Sequence, residues 1–198
     1  NGRYSMTVLT FPQSASDPEF DSVTMATNTP TVKSESLSGR RQVRQLGSQR
    51  WSMTLSYPRM TRASFMPIMA TIMKLRGSYG TFTIMLPLLS NSQGNTGGTW
   101  TCSAGASGST AITLSGGTGS FTVGDIVRFS NHSKVYMIVG WSSNVMSVEP
   151  PLSTAVTTST TIEYNNVKVT ASLANDQQEF SVGTEGLFRY EIDIIEAL

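Results

Sequence analysis

Apolar and polar residues alternate most clearly at three places along the chain. Trp51, Met53, Leu55 and Tyr57 alternate with Ser52, Thr54 and Ser56, Phe82, Ile84 and Leu86 repeat the pattern, and Phe188, Tyr190, Ile192 and Ile194 alternate with Arg189, Glu191 and Asp193. A period of two puts each apolar set on one face of the backbone, so each segment reads as a half-buried strand. Between the first two, Phe65, Ile68, Met69, Ile72 and Leu75 recur at helical spacing and predict a helix of about three turns. Thr61 or Ser64 can cap its start, Pro67 suits only its first turn, and Gly77 suits a left-handed stop. Strand, helix and returning strand in that order predict a helix laid across one face of an antiparallel sheet.

The pattern changes after Ser90. Residues 91–109 are rich in Gly, Ser, Thr and Asn and read as a loop leading into short strands at 111–114, 126–129, 135–140, 145–148 and 161–164. Short strands at this spacing, with turn residues between them, predict a small barrel or sandwich. Val167 to Leu173 and the C-terminal strand then return to the first sheet. The predicted fold is therefore mainly β, of the α+β class: an antiparallel sheet or barrel with one packed helix, formed by residues 1–90 and 166–198, and a small β-barrel or sandwich module inserted at 91–165. Excising 91–165 and joining the ends is expected to leave a folded parent.

Composition adds a reason to expect self-association. Charged residues make up 14% of the 198 and the formal net charge is +1, against roughly 25% charge in ordinary soluble domains, so little long-range repulsion keeps copies apart. The charge is unevenly placed. Lys33, Arg40, Arg41, Arg44, Arg50, Arg59, Arg62, Lys74 and Arg76 share one stretch with the single acid Glu35, whereas Asp176, Glu179, Glu185, Glu191, Asp193 and Glu196 are opposed only by Arg189. Opposite patches on one subunit suit a head-to-tail contact. No apolar run reaches the roughly 20 residues of a spanning helix, and the start of the chain lacks a signal-peptide pattern, so no membrane insertion is expected.

Catalytic chemistry has little to draw on. His132 is the sole histidine and Cys102 the sole cysteine, so any Ser-His-Asp or Cys-His arrangement depends on one turn residue, and a cysteine-based zinc site and an intrachain disulfide are both excluded. Asp125 at a strand entry and Glu149 before Pro150 are the carboxylates closest to a glycosidase pair, and both have ordinary structural explanations. The Gly-rich segments near 97 and 116 lack the P-loop ending and the dinucleotide context. No enzyme, metal or cofactor is expected. Arg40-Arg41-Gln42-Val43-Arg44 could meet phosphates, but the nearly balanced charge and the absence of a motif argue against specific nucleic-acid recognition. A solvated loop or a subunit contact remains open for it.

The stretch from Leu37-Ser-Gly-Arg-Arg through Arg50-Trp-Ser-Met-Thr-Leu-Ser-Tyr-Pro, followed by the helix and Gly80-Thr-Phe-Thr-Ile-Met-Leu-Pro, resembles phage virion structural proteins of the distal-tail and baseplate-hub type. Gly124-Asp-Ile-Val-Arg-Phe, Lys134-Val-Tyr-Met-Ile-Val and Val148-Glu-Pro-Pro-Leu are similar to the small β module that such proteins often carry. The resemblance implies a virion protein assembled in the host cytoplasm into a homo-oligomeric ring, commonly of about six subunits, that contacts other tail proteins. It would link the tail tube to the baseplate or adsorption apparatus; a tube subunit and a tail terminator are the alternative posts. In such a ring Arg40, Arg41, Arg44 and Arg50 are expected at a subunit boundary, with Glu185, Glu191, Asp193 and Glu196 as their partners. Some related proteins carry carbohydrate-binding insertions, which makes Trp100, Tyr136 and Trp141 candidate contacts for a host-surface glycan.

Overall fold

The computed structural model describes residues 8–12, 19–47 and 49–198; residues 1–7 and 13–18, at the start of the expected parent part, and Ser48 lie outside the described residues. The strands are β1 (Leu9–Thr10), β2 (Ser22–Asn28), β3 (Thr31–Glu35), β4 (Arg41–Gln45), β5 (Arg50–Ser56), β6 (Thr81–Met85), β7 (Thr101–Cys102), β8 (Ala111–Ser115), β9 (Ile126–Phe129), β10 (Val135–Ser142), β11 (Val145–Glu149), β12 (Ile162–Glu163), β13 (Lys168–Leu173), β14 (Phe180–Val182) and β15 (Phe188–Glu196). Helix α1 (Arg62–Leu75) lies between β5 and β6. The mainly β class with one α-helix holds, and its sheets are antiparallel apart from the short parallel pairing of β1 with β6.

The first sheet has the order β1-β6-β13-β15-β5-β2, with β14 extending β15. Its inner face carries Trp51, Met53, Leu55, Phe82, Ile84, Val169, Phe188, Tyr190 and Ile192, all buried as the alternation requires. Phe65, Ile68, Ile72 and Leu75 of α1 close that face, and the Phe65 ring stacks on Phe188 at 4.8 Å between centroids. Thr61 is the N-cap residue but makes no capping side-chain bond, and the left-handed stop falls at Arg76 (φ 56°), one residue before Gly77 (φ 70°). The helix has 14 residues, and Pro67 sits in its second turn instead of its first. Burial of the flanking Phe65 and Ile68 at 0% and 1% exposure holds that turn in place despite the lost N–H.

The second sheet has the order β12-β9-β10-β11-β8-β7. Its two ends meet: Ile162 N–H donates to Trp100 O at 3.1 Å and Cys102 N–H to Thr160 O at 2.9 Å, which makes the sheet a nearly closed barrel. Trp100, Phe121, Val127, Phe129, Tyr136, Ile138, Met146 and Val148 fill it. The chain enters and leaves beside itself, with Ser92 N–H donating to Tyr164 O and Val167 N–H to Ser90 O, both at 2.9 Å. The cores touch, because Ile126 and Val135 of the barrel pack into the first sheet's cluster.

Strands β3 and β4 form a separate two-stranded hairpin. It prolongs the β2–β5 ladder, since Leu46 N–H donates to Pro30 O at 2.9 Å across the joint. Three steps lead from Asn28 to Thr31 but five from Gln45 to Arg50, so the two pairings do not run on in one register. The hairpin is an arm that leaves the sheet at the Arg50 end of β5.

Candidate assembly surfaces

All ten strand residues of the arm are exposed. Cross-strand partners are Val32 with Arg44, Lys33 with Val43 and Glu35 with Arg41, so neither face is apolar and neither has a core beneath it. Arg40 closes the turn through its N–H to Ser36 Oγ at 3.2 Å, and Arg50, also exposed, stands where the arm joins β5. The basic stretch is therefore a projecting hairpin and not the irregular loop that its polarity allowed. An isolated two-stranded hairpin of this length is marginal in water.

The acids lie elsewhere. Ser56 of β5 pairs with Glu191 and Ser52 with Ile195, so Glu191 is at the end of the sheet away from Arg50. Glu191 is exposed; Asp193 is half-buried and accepts from Thr54 Oγ1 at 2.6 Å; Glu185, in the turn between β14 and β15, faces Arg59 at 3.6 Å. A cleft of roughly 610 Å³ opens there between Pro58, Arg59, Glu179, Phe180, Arg189 and Glu191, beside β14, which has no further strand on its outer edge among the described residues. Arm and acids thus occupy different sides of the subunit, as a head-to-tail contact requires.

Glu196 does not share that surface. Its side chain is fully buried and its carboxylate accepts from Val135 N–H at 2.9 Å, from Trp51 N–H at 3.3 Å and from the Lys134 ammonium. Lys134 also donates to Gln49 O at 3.1 Å and Gln49 Oε1 at 2.8 Å, while Trp51 Nε1 donates to Val135 O at 3.2 Å. Burial pulls the Lys134 ammonium below its ordinary pKa, opposed by the hydrogen bond and the charge of Glu196. Gln49 at the foot of the arm, the barrel and the last strand meet at this one polar junction. Charge sign alone had assigned Glu196 to the surface; the overlooked signal was a lysine heading the apolar run Val135 to Val139, where a charge needs a buried partner.

The aromatic trio does not form a platform. Trp100 and Tyr136 are 1% and 0% exposed, and Trp141 is half-exposed with its ring edge-on to Trp100 at 5.5 Å. A side chain at Gly117 would place its Cβ 2.2 Å from the Trp100 ring, which shows how closely the backbone covers that ring. Burial makes a planar sugar-stacking face impossible for two of the three.

His132, Cys102 and Asp125 each have a structural role. His132 Nε2 meets Tyr136 OH at 2.8 Å and Nδ1 meets Asn131 Oδ1 at 2.7 Å, while Ser153 N–H donates to the same tyrosine oxygen at 3.0 Å. Desolvation first and the charge of Arg128 second hold His132 below its ordinary value. Burial pushes the Cys102 thiol up to about 11, which leaves it protonated and a poor nucleophile at neutral pH. Asp125 is buried and accepts from Gln93 N–H at 2.9 Å, Thr122 N–H at 3.1 Å and Ser92 Oγ, a clasp at the barrel's entrance. Among the described residues no three His, Cys, Asp or Glu side chains gather as a metal site, and no helix is long and apolar enough to cross a membrane.

Comparison with known proteins points to one kind of particle. Residues 9–89, which include the arm, α1 and strands β1 to β6, match the family model described as distal tail protein pb9, A domain, N-terminal. Over 164 residues, 79% of this chain and 80% of the relative, the sequence is 27% identical to distal tail protein pb9 of Escherichia phage T5. The resemblance drawn from the order and wording of its segments is supported on both counts: the chain is similar to phage distal tail proteins.

Proposed function

We propose that this protein is a non-enzymatic structural subunit of a phage tail, located in the virion, which assembles in the host cytoplasm into a ring of about six copies at the distal end of the tail. The ring joins the tail tube to the baseplate or adsorption apparatus and contacts other tail proteins. Residues 1–90 and 166–198 form the ring, and 91–165 is the module inserted into it.

The observation that carries the ring is the arm. Ten exposed residues without a core make a hairpin that is marginal by itself even though it continues the β2–β5 ladder, and the surface of a neighbouring copy would complete it. Its cations match the side of a neighbouring copy that carries Glu179, Glu185 and Glu191. The outer edge of β2, with the uncharged sequence Ser-Val-Thr-Met-Ala-Thr-Asn and no proline, has no further strand on it among the described residues and is a second edge that a neighbour can cover. Light scattering and negative-stain microscopy of the purified chain test this reading. A ring is expected, and Arg40→Glu, Arg41→Glu and Arg44→Glu together should reduce it to smaller species with an unchanged circular dichroism spectrum. A purified wild-type chain that stays monomeric at all concentrations would overturn the ring.

A further inference from the structure

The outward face of α1 is apolar where a surface helix ordinarily turns charged residues to water. Met66, Met69 and Met73 follow one another at spacings of three and four residues and so share one face. Met66 is 40% and Met73 67% exposed, and Tyr79, just past the helix, is 63% exposed. Met69 is half-buried against the core, so the stripe begins at the sheet and rises to the surface.

The charged residues of α1 itself are all cationic, and the two acids that come near its ends are already engaged, Glu185 with Arg59 at 3.6 Å and Asp176 with the N–H and hydroxyl of Ser78. Arg62 opens the helix, Lys74 and Arg76 close it, Arg59 precedes it, and no carboxylate side chain occurs in the sequence between Glu35 and Asp125. The first turn has no acidic residue and no side-chain cap, so its N–H groups add to the positive field at that end. Methionine is unbranched and polarisable and adapts to differently shaped apolar partners. A second copy brings the same cations to the same stripe, so back-to-back packing of two α1 faces is opposed by charge.

We propose that the outer face of α1 is the docking surface for a different protein of the same particle, one that presents apolar anchors between carboxylates. The methionines receive the anchors, and Arg62 and Lys74 fix the register at either end. This inference rests on the tail reading above.

Methionine oxidation reads the surface directly, with buried Met53 and Met146 as internal references. Dilute peroxide is applied to the purified protein and to intact virions, and sulfoxide at each methionine is quantified by mass spectrometry. Met66 and Met73 should oxidise readily in the purified oligomer and at least about tenfold more slowly in the virion. In parallel, Arg62→Glu with Lys74→Glu should leave the purified oligomer unchanged while lowering incorporation into virions in a complementation assay. Equal oxidation in both samples overturns the proposal, and so does protection already present in the purified oligomer, which would assign the face to a second copy. A chain absent from wild-type virions removes the tail reading itself, a result distinct from either.

Discussion

Lys134, at the start of a barrel strand, and Glu196, near the end of the last sheet strand, meet in an ion pair with 3% and 0% side-chain exposure. Two charges taken out of water are held only while each has its partner and its remaining hydrogen bonds, which Gln49, Trp51 and Val135 supply. Lys134→Met should therefore cost about 3–5 kcal/mol, because it leaves the Glu196 carboxylate buried and uncompensated. Adding Glu196→Gln removes that charge and keeps one oxygen, which can still accept from Val135 N–H while Trp51 N–H loses its acceptor, so the double variant should be more stable than the single one. Urea unfolding of the three proteins measures the order; a single variant as stable as the parent would contradict it.

The same junction changes the expectation for excising residues 91–165. Turn-rich sequence at the entrance made the module look separable, and the adjacent entry and exit at Ser90 to Ser92 and Tyr164 to Val167 agree with an insertion. Yet the excision strips Ile126 and Val135 from the first sheet's core, removes the acceptor of Trp51 Nε1 and leaves Glu196 without its counter-ion. The shortened chain is expected to melt well below the intact one and to bind more of a hydrophobic dye. Equal melting temperatures would mean that the contact between the sheets contributes nothing to stability.

What was legible in the sequence follows from burial on one side only. Strands β5, β6 and β15 and the helix each have a core face and a water face, so their periods stand out at Trp51 to Tyr57, Phe65 to Leu75 and Phe188 to Ile194. The arm has two water faces; Thr-Val-Lys-Ser-Glu and Arg-Gln-Val-Arg-Gln carry no apolar rhythm, and their strand character comes from pairing with each other. The barrel's closure depends on Trp100 meeting Ile162, and the partner choice of Glu196 depends on Lys134 lying 62 residues away. Neither relationship is local, so neither could be read from spacing. Charge sign separated a basic set from an acidic set but could not tell Glu191, which faces water, from Glu196, which faces inward.

His132 gives the fold a pH dependence of known sign. Desolvation, and then the positive charge of Arg128, hold its folded pKa below the ordinary 6.5. The unfolded chain therefore binds the proton first, and stability present above the unfolded value is lost as pH falls from there toward the folded value. Melting temperature should drop between about pH 7.5 and pH 5.5, a window above most carboxylate titration. His132→Gln, which can keep a hydrogen bond to Tyr136 without titrating, should flatten that slope. An identical slope in the variant would assign the acid sensitivity to another group.

The last expectation concerns register in the ring. Exposed ion pairs contribute only about 0–1 kcal/mol each, so reversing Arg41 and Arg44 should weaken assembly through several small repulsions and not through the loss of one strong bond. If the arm meets the side that carries Glu179 and Glu191, then Glu179→Lys with Glu191→Lys should by itself impair assembly. Combined with Arg41→Glu and Arg44→Glu, it should restore assembly, since the signs are again complementary. The rescue should be clearest in low salt and fade as the screening length shrinks toward the contact distance. Sedimentation velocity of the four proteins at two ionic strengths reads this out. If both reversals impair assembly and their combination does not recover it, the arm's partner lies elsewhere on the neighbouring subunit.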